Sequence, residues 1–338
     1  MKNMAAPLLN IVIDDLITNT KLLKIQVYSL LERKIIDKGM DINILRNIQE
    51  TLLLEPYLHF YLKEENSLDI NQILIGYLVN SNEEIEFIVK SDFLGYVYLP
   101  NLGYIKTKPN SRFNLKYKNK IIKLNNRAFR LIPNTKVLNK IIIYNHVPEI
   151  LKSESNRVRL ISPKISPKNV KIFKRSLNLL KYINKELYDA ILSTVNSVFI
   201  YDNSNINSFS TISQHGTIFL NILGIEPTEV SFLDDISHQS GHVIFNVLTI
   251  KTEIFLTCPT SSLVSDILTK LKDHRKVYGL FHGLFTYRCI LITLHKYVEN
   301  ENLYKHEALA RIGFYLGKMY VDLNIINDLN VLTEDGTT

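Results

Sequence analysis

The chain has 338 residues, 46% hydrophobic and 22% charged, ordinary proportions for a folded globular protein. Its net charge of +7, from 40 Lys and Arg against 33 Asp and Glu, is spread along the chain, without the basic, aromatic-interleaved stripe of a nucleic-acid module. The two cysteines, Cys258 and Cys289, imply no disulfide framework and favour a reducing cytoplasm, and no run of about 20 apolar residues marks a membrane span.

Residues 8–35 carry helical periodicity through Leu8, Ile11, Leu16, Leu23, Leu30 and Leu31. Asp14 and Asp15 interrupt the opening apolar stretch, so Met1 to Asp15 reads as the start of this helix and not as a signal peptide. A second helix is predicted from its cap, Asp41, to Leu54, with Pro56 breaking it. From Ile85 to Ile132 the pattern turns β-rich, and Phe113-Asn114-Leu115-Lys116-Tyr117-Lys118 alternates as a half-buried antiparallel strand does. This predicts a small sheet set into a helical protein. Within it Lys106, Lys108, Arg112, Lys116, Lys118, Lys120 and Lys123 form the densest basic cluster, readable as solvated strand faces or as a surface for an acidic peptide.

Residues 153–169, with Pro163 and Pro167, read as a linker. It divides a helical and β-rich part, residues 1–152, from a helical part, residues 153–338. One long helix is predicted over residues 169–198, carrying Phe173, Leu177, Leu180, Leu187 and Ile191 on one side. An extended piece, residues 208–223, then leads to Asp234-Asp235-Ile236-Ser237-His238-Gln239-Ser240-Gly241-His242, where Asp234, Asp235 and Ser237 read as N-terminal caps.

His238 and His242, four apart, share a helix face and can share a metal ion. The motif has the outline of H-E-x-x-H with Gln239 in the glutamate's place, which keeps the ligands and removes the general base of a zinc peptidase. Six of the nine histidines fall between His238 and His306, and His282 starts an apolar helical stretch that runs to Tyr297. His282 is the predicted third ligand. A carboxylate from Asp234, Asp235 or Asp273 is the alternative third ligand, and hydrogen-bonded packing of all three histidines is the structural alternative. His295 and His306 read as solvent-facing or capping residues, and the cysteines as packing residues. No G-x-S-x-G, P-loop or G-x-G-x-x-G pattern occurs.

The order of segments from Phe173 onward resembles one family, on the strength of His238-Gln239-Ser240-Gly241-His242 and Gly279-Leu280-Phe281-His282-Gly283-Leu284-Phe285. It is similar to the HExxH-type peptide modification proteins, iron- and 2-oxoglutarate-dependent peptide β-hydroxylases of ribosomal peptide natural-product pathways, over residues 170–338. The chain departs from that family at Gln239, and it lacks the tryptophan-arginine pair before the distal motif, reading Thr269-Lys270-Leu271-Lys272 there. The resemblance implies Fe(II) and 2-oxoglutarate as cofactors and a precursor peptide, leader plus core, as partner.

Three neutral imidazoles would leave an ion room for a chelating keto acid and dioxygen, and the far carboxylate of 2-oxoglutarate then needs a cation. Arg275, seven residues before His282, shares its face if the helix extends back that far, and otherwise reads as an ion pair with Asp273. Arg288 is the second candidate. An oxygenase tolerates Gln239 where a hydrolase does not. The expectation is an α+β, mainly helical protein with a small antiparallel sheet and a metal site between helices of the C-terminal half. It would be a peptide hydroxylase whose N-terminal part engages the leader. A non-catalytic peptide-binding scaffold with a decayed metal site, or a zinc hydrolase, are the alternatives.

Overall fold

The computed structural model describes residues 13–63, 69–78, 84–118, 121–138, 140–144, 167–202, 206–222, 226–301 and 303–334. The start of the first predicted helix and all of the linker but residues 167–169 lie outside the described residues. Helices and sheets are mixed throughout, an α+β architecture. Helix α1 (Ile13–Asp37) buries Leu16, Thr20, Val27, Leu31 and Ile35, the stripe its periodicity requires. Gly39, at φ +65°, then turns the chain back so that its N–H and that of Met40 reach the carbonyls of Ile36 and Ile35.

Asp41 does cap the next segment, accepting from the Asn43 N–H at 2.9 Å. The segment is two 3-10 turns, Ile42–Asn47 and Glu50–Leu54, not the single helix expected. Pro56 breaks nothing; it opens α2 (Pro56–Lys63), where its missing N–H would have no helical partner anyway. Helix α3 (Ile70–Leu74) follows.

The β-rich stretch folds as two sheets where one was expected. Strands β1 (Ile85–Lys90), β4 (Arg112–Lys118), β5 (Ile121–Leu124) and β6 (Arg127–Ala128) pair antiparallel in the order β1-β4-β5-β6. Strands β2 (Tyr96–Leu99), β3 (Gly103–Lys106) and β7 (Leu131–Pro133) form an antiparallel trio. A third sheet has the order β11-β10-β9-β8, from β8 (Thr135–Val137), β9 (Ile141–Ile143), β10 (Ser197–Tyr201) and β11 (Thr217–Asn221). Here β9, β10 and β11 run parallel, which an expectation of antiparallel pairing alone missed. This sheet also joins the two parts read on either side of residue 152.

Along β10 the residues alternate between two cores. Val198 and Ile200 face the helices of the second half, while Phe199 and Tyr201 face a cluster built on α1, α2 and α3. Burial on both faces explains why every residue of β10 is buried.

The helix read over residues 169–198 is instead α4 (Pro167–Ile183) and α5 (Lys185–Thr194), with β10 beyond. Asn184 breaks the run and caps α5, its side chain accepting from the Leu187 N–H. Helices α6 (Glu229–Leu248), α7 (Val264–Ile267), α8 (Val277–Asn300) and α9 (Lys305–Leu329) complete the chain in order. Thr228 and Ser231 form the capping box of α6, so Asp234, Asp235 and Ser237 lie inside the helix and do not cap it. By length and composition α8 is apolar enough to cross a membrane, contrary to the reading that no such run exists. In this fold, however, 61% of its most apolar window is buried inside the protein, where α8 packs against α6 and α9.

Candidate functional site

Helices α6 and α8 lie close together because Gly241 has no side chain: a Cβ there would stand 3.2 Å from Thr286 Cγ2. Next to this contact, His238 and His242 of α6 and His282 of α8 form a half-buried cluster. The rings of His238 and His242 are 5.0 Å apart, and those of His242 and His282 are 4.2 Å apart and nearly perpendicular. The Nε2 of His282 is 2.7 Å from Nδ1 of His242 and 3.3 Å from its carbonyl oxygen. Phe245, one turn after His242, stacks on the His282 ring at 4.6 Å.

Burial pushes His238 down to about 4, with the charge of Lys318 as a second cause. It also pushes His282 to about 4, and His242 lower still, where the two neighbouring rings add to the effect. All three rings are neutral near pH 7, the form that donates a lone pair to a metal. The 2.7 Å between His242 Nδ1 and His282 Nε2 is a hydrogen-bond distance, shorter than the roughly 3.4 Å between two imidazole nitrogens on one tetrahedral ion. Their chemistry suits a divalent ion. Among the described residues, however, no group of three His, Cys, Asp or Glu side chains is arranged to hold one. Coordination would have to exchange the hydrogen bond between His242 and His282 for two bonds to the ion.

The carboxylate alternatives are otherwise engaged. Asp234 pairs with Arg311 of α9, Asp235 accepts from Ser208 Oγ at 2.8 Å, and Asp273 pairs with Arg275 at 2.7 Å. Ser237 donates to Thr293 Oγ1 at 3.2 Å, inside the helix packing. Gln239 is buried, and its side-chain oxygen has no hydrogen-bond partner among the described residues.

Arg275 corrects the expectation placed on it. Helix α8 starts at Val277, so Arg275 lies before it and not on the His282 face. Its guanidinium also grips Asp322 with two bonds of 2.9 and 3.1 Å, a fork fixed by two carboxylates. Arg288 is half-buried on α8, roughly 240° around the helix axis from His282.

Two residues near the histidines went unnoticed in the sequence. Tyr315 of α9 sets its ring 6.1 Å from His238 and 5.8 Å from Tyr287. One turn later Lys318 holds its ammonium 5.2 Å from the rings of Tyr287 and Phe314. The signal was the 315/318 spacing on one helix face, but only the fold brings that face to His238. His295 is exposed beside Glu299 and His306 is exposed, as expected. Cys289 is buried in the core and Cys258 packs against it.

A second polar cluster lies on the other side of the third sheet. Glu55 is wholly buried and accepts hydrogen bonds from Tyr77 Oη, from Tyr144 Oη at 3.1 Å and from the Tyr57 N–H at 3.3 Å. Burial raises its carboxyl to about 7 despite these three donors. Tyr98 closes the cluster, its ring 4.6 Å from that of Tyr57 and 5.4 Å from that of Tyr144.

No protein-family model matches the chain, and no curated protein matches it.

Proposed function

We propose that this chain hydroxylates an unactivated carbon of a ribosomally made precursor peptide, a β-carbon by the resemblance, using Fe(II) and 2-oxoglutarate at the histidine cluster between α6 and α8. One observation carries the reading. Three neutral imidazoles gather in a half-open site, with two of their nitrogens 2.7 Å apart. His238, His242 and His282 would hold the ion. Held there with 2-oxoglutarate, the ion would let dioxygen act as the oxidant: one of its oxygen atoms would enter a C–H bond of the peptide and the other the succinate left when the keto acid loses carbon dioxide.

The chain's own residues do the rest. Burial keeps the three rings unprotonated, and the face of Phe245 fixes the plane of His282. Lys318, close to His238 and without a carboxylate partner among the described residues, is the cation we assign to the far carboxylate of the co-substrate. That role was expected of Arg275 or Arg288. Gln239 has no proton to exchange near pH 7, so the site lacks the base of a zinc peptidase. A cytoplasmic setting belongs to this reading, and both cysteines are free.

The hydrogen bond between His242 and His282 favours a second reading, a peptide-binding scaffold without a metal. Anaerobic reconstitution with ferrous ion and 2-oxoglutarate, followed by air and mass analysis of the genomically adjacent precursor peptide, separates the two. Hydroxylation predicts succinate release matched by peptide gaining one oxygen atom. Failure to take up iron leaves the scaffold, and tight zinc with peptide cleavage leaves the hydrolase.

A further inference from the structure

The outward face of the sheet β1-β4-β5-β6 carries charge that the histidine site does not use. Along β4, Leu115 and Tyr117 are buried, which turns Arg112, Lys116 and Lys118 to the other side. The strand register then sets Lys90 directly across from Arg112, and Lys123 directly across from Lys116. Like charges in facing positions repel and weaken a sheet. Glu86 relieves only one of them, standing 3.3 Å from Lys116. Among the described residues Lys90, Arg112, Lys118 and Lys123 have no carboxylate partner.

An open groove of about 270 Å³ lies on this sheet, lined by Glu84, Lys116, Lys118, Ile121, Lys123 and Asn126. Two large apolar side chains stand out among the cations, Ile88 at 61% and Ile121 at 58% exposure. The face therefore combines unneutralised positive charge with apolar studs.

We infer that this face docks an extended acidic polypeptide, its carboxylates over Lys118 and Lys123 and its apolar side chains over Ile121 and Ile88. Charge complementarity selects the sign of the partner. Spacing selects its form: same-side residues of an extended peptide repeat at about 6.7 Å, as Lys116 and Lys118 do along β4. Composition argues against a nucleic-acid strand, because no outward residue of β1, β4 or β5 is aromatic and unpaired bases bind by stacking on rings. The inference deepens the proposed function by naming where a peptide is held. It rests on the sheet alone, and its test uses no iron.

The test is fluorescence anisotropy on the full chain, with a labelled dodecapeptide of repeated Asp-Ser-Val-Ser as the probe, which sets Asp and Val on one face of an extended chain. The same peptide with Lys for Asp and a single-stranded DNA of ten nucleotides serve as comparisons. The Asp peptide is expected to bind saturably and to weaken as salt rises. The variant Lys118→Glu/Lys123→Glu is expected to weaken it roughly tenfold or more, with a circular dichroism melt no lower than that of wild type, because both side chains are exposed and Lys123→Glu replaces the repulsion facing Lys116 by attraction. The variant His238→Ala/His282→Ala is expected to bind as wild type, even if it takes up no iron. Absent saturable binding, equal binding by Lys118→Glu/Lys123→Glu, or DNA bound more tightly than the peptide would each overturn the proposal.

Discussion

The Glu55 cluster and the histidine cluster are both polar sites inside apolar surroundings, and they solve that problem in opposite ways. Glu55 is sealed, with three donors aimed at its carboxyl and tyrosine rings around it. The histidines stay half-buried; His242 and His282 share a hydrogen bond, and ring nitrogen is left for something else. A sealed and satisfied group contributes specificity and stability but meets no ligand. An unsealed cluster contributes less to the fold and keeps its chemistry accessible.

Breaking the sealed cluster has the largest expected effect. Glu55→Ala leaves the Tyr77 and Tyr144 hydroxyls unpaired and a void beside them, at a cost of about 3 kcal/mol in urea denaturation. Its pH dependence has a definite sign. The folded carboxyl titrates at about 7 and the unfolded one near 4.5, so the fold favours the protonated form. That stabilisation is complete below about pH 4.5 and is lost as pH rises through 7. Glu55→Gln, which cannot ionise, is expected to remove this part of the decline and to leave the like-signed part from Asp235, whose carboxyl burial also raises to about 7. His59 and His215, lowered by burial to about 4 and about 3, act with the opposite sign. Their contribution is present above about 6.5 and is lost as pH falls, and Glu55→Gln leaves it in place.

His282→Ala sharpens the contrast. It is expected to end iron uptake and hydroxylation while costing the fold about 1 kcal/mol, the worth of its stacking on Phe245. A loss of stability as large as that of Glu55→Ala would make the histidines a structural core and erase the distinction. Gly241→Ala is expected to change stability by less than about 1 kcal/mol, because the helix propensity gained on losing glycine offsets the small shift that a Cβ 3.2 Å from Thr286 Cγ2 demands. Urea denaturation reads the balance, and iron binding at the adjacent histidines, read by equilibrium dialysis, is expected to stay within a few-fold of wild type. The smallest effect belongs to Lys318→Gln. This variant is expected to melt as wild type and to raise the KM for 2-oxoglutarate a few-fold, leaving kcat near wild type.

The sequence made legible what depends on near neighbours. The stripe of α1, the alternation of β4 and the apolar run of α8 were readable because each is set by residues within a few turns or one strand. The approach of His282 to His238 and His242 was expected on motif order, and His242 and His282 do meet. What stayed hidden depends on partners far along the chain. Glu55 takes its donors from Tyr77 and Tyr144, 22 and 89 residues away. Arg275 meets Asp322 across 47 residues. The parallel strands β10 and β11 carry no alternation to read, because both faces are buried. Asn184 was a local signal that a long apolar stripe outweighed: an asparagine within a helical run can end one helix and start another.

The pairing of β9 with β10 has a consequence for anyone wishing to divide this protein. A cut between Tyr144 and Pro167 would put β8 and β9 on one polypeptide and β10 and β11 on the other, each half carrying a bare strand edge whose natural neighbour is elsewhere. Expressed separately, the halves are expected to aggregate. Expressed together, they are expected to find each other through that edge and co-purify as one nicked particle.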